Sequence, residues 1–200
     1  MTEAEWLACA DPAGMLAYLK QRVPPASSRK LILFVLVCWR HKTFGEKVQS
    51  IREVQFRYVD GHATYKELSK ALYDLYGPGN WDEEVALDAA CDCDFAALEA
   101  ASASDYAEPP SPVLIEQAAF LRDVFGNPFR PVSANPRWLT SSALDLARTM
   151  YDSRDFAAMP ILADALEEAG CDNVDILAHC RGDGPHVRGC WVVDLILGKN

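Results

Sequence analysis

Thr64-Tyr65-Lys66-Glu67-Leu68-Ser69-Lys70-Ala71-Leu72-Tyr73-Asp74-Leu75-Tyr76-Gly77 decides the fold class. Thr64 and Glu67 have the spacing of a capping box, in which each side chain satisfies a backbone N–H of the other end of the first turn. Leu68, Leu72, Leu75 and Tyr76 then recur at helical intervals and make one apolar face. Gly77 follows, a residue that ends helices without strain. Start signal, period and stop signal all describe an α-helix.

The same grammar runs along the chain in both directions. Thr2 with Glu5 and Asn80 with Glu83 repeat the capping spacing, and Asp11-Pro12 and Ser111-Pro112 place a capping side chain before a proline at the first helical position. Trp6, Leu7, Met15, Leu16 and Leu19 predict two short helices hinged at Asp11-Pro12 and docked on the rest of the fold. Val48, Ile51, Val54 and Tyr58 predict the buried face of a helix that stops near Gly61. Residues 81–101 read as one long helix rich in Ala, Glu and Leu. Further helices are expected over 113–125, from a Thr140 cap to about 152, from Pro160 to Gly170, and from an Asn173 cap to 181. Two apolar runs, 31–37 and 190–197, are too short for periodicity to separate helix from strand; consistency with their neighbours favours helix. The expectation is an all-α protein of about ten helices. Two helical halves, 1–101 and 113–200, pack together or lie side by side across a linker at 102–112, whose Ser, Pro and acidic residues suit an exposed connection.

Composition sets the outer limits. The chain has 200 residues, half of them apolar, and a formal charge of −10. That is enough apolar surface for a core without disulfides or metal. The acidic balance excludes a general nucleic-acid binder and a binder of anionic membranes, both of which need surplus Lys and Arg. The longest apolar run, nine residues at 31–39, falls short of the ~20 a membrane span requires. Met1-Thr2-Glu3-Ala4-Glu5 lacks the basic start and apolar run of a secretory signal. With seven cysteines in no framework spacing, the expectation is reduced thiols in a cytoplasm. Residues 29–57 carry a local basic surplus and 82–99 an acidic one, read as solvated faces.

Chemistry-bearing residues concentrate at 179–194. His179, Cys180, His186 and Cys190 are the donor types of tetrahedral zinc, although adjacent His179 and Cys180 point in different directions on a helix. Cys190, His186 and Asp194 have the residue types of a nucleophile, base and orienting acid. The turn Gly182-Asp183-Gly184-Pro185 would bring them together. Cys91 and Cys93 diverge on their helix and suit no chelate. Phosphate loops, nucleophile elbows and zinc-protease helices are absent. Trp6, Arg130, Trp138, Arg188 and Trp191 are the residue types that dominate protein interfaces, and form a candidate binding surface.

Three runs also resemble a known group: 125–131 (Phe-Gly-Asn-Pro-Phe-Arg-Pro), 160–170 (Pro-Ile-Leu-Ala-Asp-Ala-Leu-Glu-Glu-Ala-Gly) and 186–195 (His-Val-Arg-Gly-Cys-Trp-Val-Val-Asp-Leu). With Glu5-Trp6-Leu7 and Asp11-Pro12, they are similar to a multi-copy family of uncharacterised planctomycete proteins. Residues 162–170 resemble the Leu-Ala-Asp-x-Leu-Glu-Glu…Gly signature of the planctomycete repeat-companion domain. The resemblance covers both ends of the chain and little of 62–110. It implies a bacterial origin and no particular activity; clustered cysteines found in family members are represented here by Cys38 alone.

The sequence therefore leads to a non-enzymatic cytoplasmic interaction or adaptor protein with another protein as partner and no cofactor. The alternative is a small zinc-binding protein or Cys-His enzyme centred on 179–194.

Overall fold

A computed structural model describes residues 1–22, 27–38, 46–76 and 112–199. Among these the chain forms ten α-helices and one 3-10 turn, with no strand. The expected all-α class is what the structure shows. The 81–101 helix, Cys91, Cys93 and all but the last residue of the 102–112 linker lie outside the described residues. No helix among the described residues is long and apolar enough to cross a membrane.

The chain divides into two compact units that do not follow its order: Met1–Met15 with Ile115–Asn200, and Leu16–Leu114. The first fifteen residues thus belong with the C-terminal part. In the second unit, α3 (Ser28–Cys38) packs on α4 (Glu46–Val59), and α4 on α5 (Tyr65–Tyr76). Leu31, Ile32, Leu33, Phe34, Val35 and Leu36 of α3 are all buried. A helix buried on every side loses its amphipathic period, so this run resembled a strand as much as a helix. On α4 the buried stripe is Ile51, Gln55 and Val59, with Val54 and Tyr58 only partly covered. The apolar residues pointed to a face slightly rotated from the one the fold buries. Thr64 and Glu67 close their capping box at the start of α5, and Leu68 and Leu72 are buried as expected.

The first unit contains α1 (Glu3–Ala8), the start of α2 (Pro12–Lys20), most of α6 (Pro112–Phe125), then α7 (Ser141–Ser153), α8 (Met159–Glu168), α9 (Val174–Arg181) and α10 (Trp191–Leu197). Helix α7 packs on α8 and on α10, and α9 packs on α8 and on α10, closing a ring of four. The middle of the ring is filled by small and medium side chains, among them Ala143, Ala147, Leu162, Ala163, Ile176 and Val193. Thr140 caps α7 by accepting from the Ala143 N–H, and Asn173 caps α9 by accepting from the Asp175 and Ile176 N–H groups. The run 190–197 is helix, as its neighbours suggested, and its far end turns at Gly198 with φ 65°.

The N-terminal arm is docked. Asp11 accepts from the Ala13 and Gly14 N–H groups at the start of α2. Trp6, Met15, Leu16 and Leu19 are buried, whereas Leu7 is 54% exposed. Leu7 follows Trp6 by one residue, about 100° around the helix, so burying one of them turns the other outward.

Candidate metal centre

Four side chains from four places in the chain meet inside the first unit. Asp123 comes from the last turn of α6. His179 comes from the last turn of α9. His186 lies in the connection that follows, and Cys190 is the residue on which α10 begins. The turn at 182–185 returns the chain as expected: Gly182 ends α9 by donating its N–H to the His179 carbonyl, and the Cys190 N–H bonds to the Val187 carbonyl. One ligand atom from each of Asp123, His179, His186 and Cys190 lies within 4.8 Å of the others.

The closest separations are short and similar. His179 Nε2 is 3.1 Å from Cys190 Sγ and 3.2 Å from Asp123 Oδ1. His186 Nδ1 is 3.2 Å from the same Oδ1. The two imidazole rings meet edge to face with centroids 4.8 Å apart. Asp123 Oδ2 is occupied separately, accepting the Val187 N–H at 2.9 Å. One carboxylate oxygen is thus pinned by backbone while the other faces the two rings.

Burial makes this arrangement costly unless its charges are matched. The Asp123 side chain is 2% exposed and His186 9%, and Cys190 is fully buried. Burial and the nearby Asp123 carboxylate push the Cys190 thiol well above its usual range, with the amides of Val192 and Val193 pulling the other way. His186 Nε2 is buried with no hydrogen-bond partner among the described residues. A cation among these groups would supply the positive charge that the carboxylate and a thiolate need.

The donors fit a transition metal. One carboxylate, two imidazoles and one thiol match zinc, not the all-oxygen sites of calcium or magnesium. Ligands held at 2.0–2.3 Å around a tetrahedral ion sit about 3.3–3.8 Å apart. The three closest separations lie just below that range, and the other pairs, all within 4.8 Å, would draw in around an ion. The pinned Oδ2 is the kind of outer contact that orients a ligand carboxylate.

A nucleophile–base–acid relay fits less well. In such a relay the imidazole bridges its partners through its two different nitrogens. Here the same nitrogen, His179 Nε2, faces both the sulfur and the carboxylate. Groups that crowd around one point in this way share a centre instead of passing a proton along a line.

The sequence-predicted residues separate accordingly. His179, His186 and Cys190 converge. Cys180 stands outside the group, buried in the core between the helices of the ring, where desolvation raises its thiol to about 12. Asp194 is buried on α10 and is likewise not one of the four; Asp123 supplies the acid. Asp123 escaped the sequence reading because it lies far upstream of the cluster. Its one signal is an acid embedded in Phe120-Leu121-Arg122-Asp123-Val124-Phe125, beside the buried Phe120, Leu121 and Val124.

The candidate binding-surface residues differ in exposure. Trp6 is fully buried and Trp138 is 8% exposed, so neither offers a contact face. Trp191 is partly covered, its ring 5.3 Å from that of His179. The Arg188 guanidinium lies over the Tyr151 ring, and Arg130 pairs with Glu3 and Asp175.

Compared with known protein families, with curated proteins and with solved structures, the chain matches none.

Proposed function

We propose that this chain is a zinc-binding protein whose metal serves structure instead of catalysis, held by Asp123, His179, His186 and Cys190. The observation that carries the reading is the convergence of four donors of the right types, from α6, α9 and the start of α10, within 4.8 Å. Four protein donors complete a tetrahedral site and leave no position for substrate or water, the mark of a structural centre. A fully buried Cys190 sulfur argues the same way, since a nucleophile must reach its substrate. When bound, the ion would neutralise the Asp123 carboxylate and the Cys190 thiolate and tie together parts of the chain distant in sequence.

A structural centre assigns the work of the molecule to its surface. That accords with the non-enzymatic interaction role, with another protein as partner and no nucleic acid, and with the cytoplasmic setting drawn from the sequence. Membership of the planctomycete family belongs to the same proposal, and the run 186–195 on which the resemblance partly rests carries two of the four donors.

Metal analysis of protein purified without a histidine tag tests the reading, together with cobalt titration. The expected result is one metal ion per chain, and a cobalt complex with the sulfur-to-metal absorption and strong visible bands of tetrahedral coordination. Cys190→Ser should abolish the sulfur band. Protein that takes up neither zinc nor cobalt overturns the proposal, as does cobalt binding that Cys190→Ser and His179→Ala leave unchanged.

A further inference from the structure

The N-terminal arm bonds to α6 directly and is linked to the other two helices of the candidate centre through Gly126 and Arg130. Arg122, the neighbour of Asp123, donates through one nitrogen to the Trp6 and Cys9 carbonyls, at 3.3 and 2.9 Å. Trp6 Nε1 donates to the Gly126 carbonyl at 3.1 Å. Gly126 in turn lies against Trp191: a Cβ there would stand 3.0 Å from the indole, and its φ of 66° suits glycine. Trp191 follows Cys190 in the chain and packs beside the His179 ring. The third link is ionic. Glu3 pairs with Arg130 at 2.6 Å, and Arg130 reaches Asp175 in the first turn of α9, the helix that carries His179. Asn127 also donates to Glu3, at 2.7 Å.

We infer that docking of residues 1–9 assembles the metal centre, so that arm and metal bind cooperatively; this rests on the metal reading above. Asp123, His179 and Cys190 stand on separate elements, and a tetrahedral ion tolerates little error in the placement of its donors. The arm fixes the spacing of these elements from outside through Arg122, Gly126–Trp191 and Arg130–Asp175. Metal fixes the same spacing from inside. Each therefore favours the other, and the coupling is equal in both directions. Release of the arm by a competing partner would loosen the ion, and loss of the ion would free the arm.

Hydrogen exchange on the intact chain, with and without saturating zinc, tests the coupling. Amides of α1 should exchange at least about fivefold more slowly with metal, the lower end of ordinary coupling between sites. Amides of α4, in the other unit, serve as the reference and should change less. A Glu3→Gln, Trp6→Phe double variant removes the ion pair and the indole N–H without touching a donor. It should bind cobalt about fivefold more weakly, with the shape of the cobalt spectrum unchanged. Cobalt binding in the native chain with unaltered α1 exchange overturns the coupling and leaves the metal reading standing. Unaltered affinity in a folded double variant does the same. A native chain that takes up no cobalt overturns both.

Discussion

Asp123 is the residue on which the centre turns. Its carboxylate is buried, and among the described residues its partners are two imidazoles and one backbone N–H. Asparagine keeps the shape and can still accept from Val187, but it removes the charge. Asp123→Asn should therefore weaken zinc or cobalt binding by more than the roughly 10–100-fold seen when only an outer partner of a ligand is lost. The melting temperature of the metal-free chain should change less than the affinity, because asparagine still accepts the Val187 N–H and the desolvation cost of a buried charge is removed. Competitive titration and calorimetry measure both. Cys180 gives a different signature. Its folded thiol titrates at about 12, against 9.0 for the unperturbed group. Above pH 9 the unfolded chain loses this proton while the folded chain keeps it, so stability falls as pH rises through that window. Cys180→Ala starts less stable, having lost a buried side chain, yet should decline less between pH 9 and 12. Denaturant midpoints at several pH values would show it, and parallel declines would refute it.

At the scale of elements, local chemistry was the most readable part of the sequence. Thr140, Asn173, Asp11-Pro12 and the Thr64–Glu67 pair all cap helices as their spacing predicted. Such bonds form between near neighbours, so the signal lies within four residues. Asn173→Ala removes the side-chain oxygen that accepts from the Asp175 and Ile176 N–H groups at the start of α9 and should cost about 1 kcal/mol, read as a lower melting temperature of the unit formed by 1–15 and 115–200. Facial burial was less readable. The α4 stripe at Ile51, Gln55 and Val59 includes a polar residue that no apolar pattern would include. Asp123 was invisible for the same reason: its partners are brought to it by the packing of α6 against the C-terminal segment. The cluster at 179–190 could be read because three of its four donors are close in sequence, whereas choosing Asp123 over Asp194 and excluding Cys180 required the fold.

Across the whole molecule, the division into two units confines the metal's effect. All four donors and the arm belong to the unit formed by 1–15 and 115–200. Binding to the folded state alone stabilises by about 2.7 kcal/mol when free metal exceeds its Kd a hundredfold. A strong chelator should accordingly lower the melting transition of this unit and leave α3–α5 nearly unaffected. Calorimetry with segment-resolved hydrogen exchange would separate them, and equal destabilisation of both units would count against a local centre.

The indole of Trp191 beside His179 also has an optical consequence. Cobalt and copper ions absorb or accept excitation energy at short range, whereas zinc, with its filled d shell, does not. Seated among these four donors, a cobalt ion would lie close enough to Trp191 to darken its emission, and adding excess zinc would restore the light as it displaced the cobalt. Trp138→Phe should preserve that loss of emission and Trp191→Phe should remove most of it. The molecule thus carries a native fluorophore next to its proposed centre, and occupancy can be followed in a cuvette without any label.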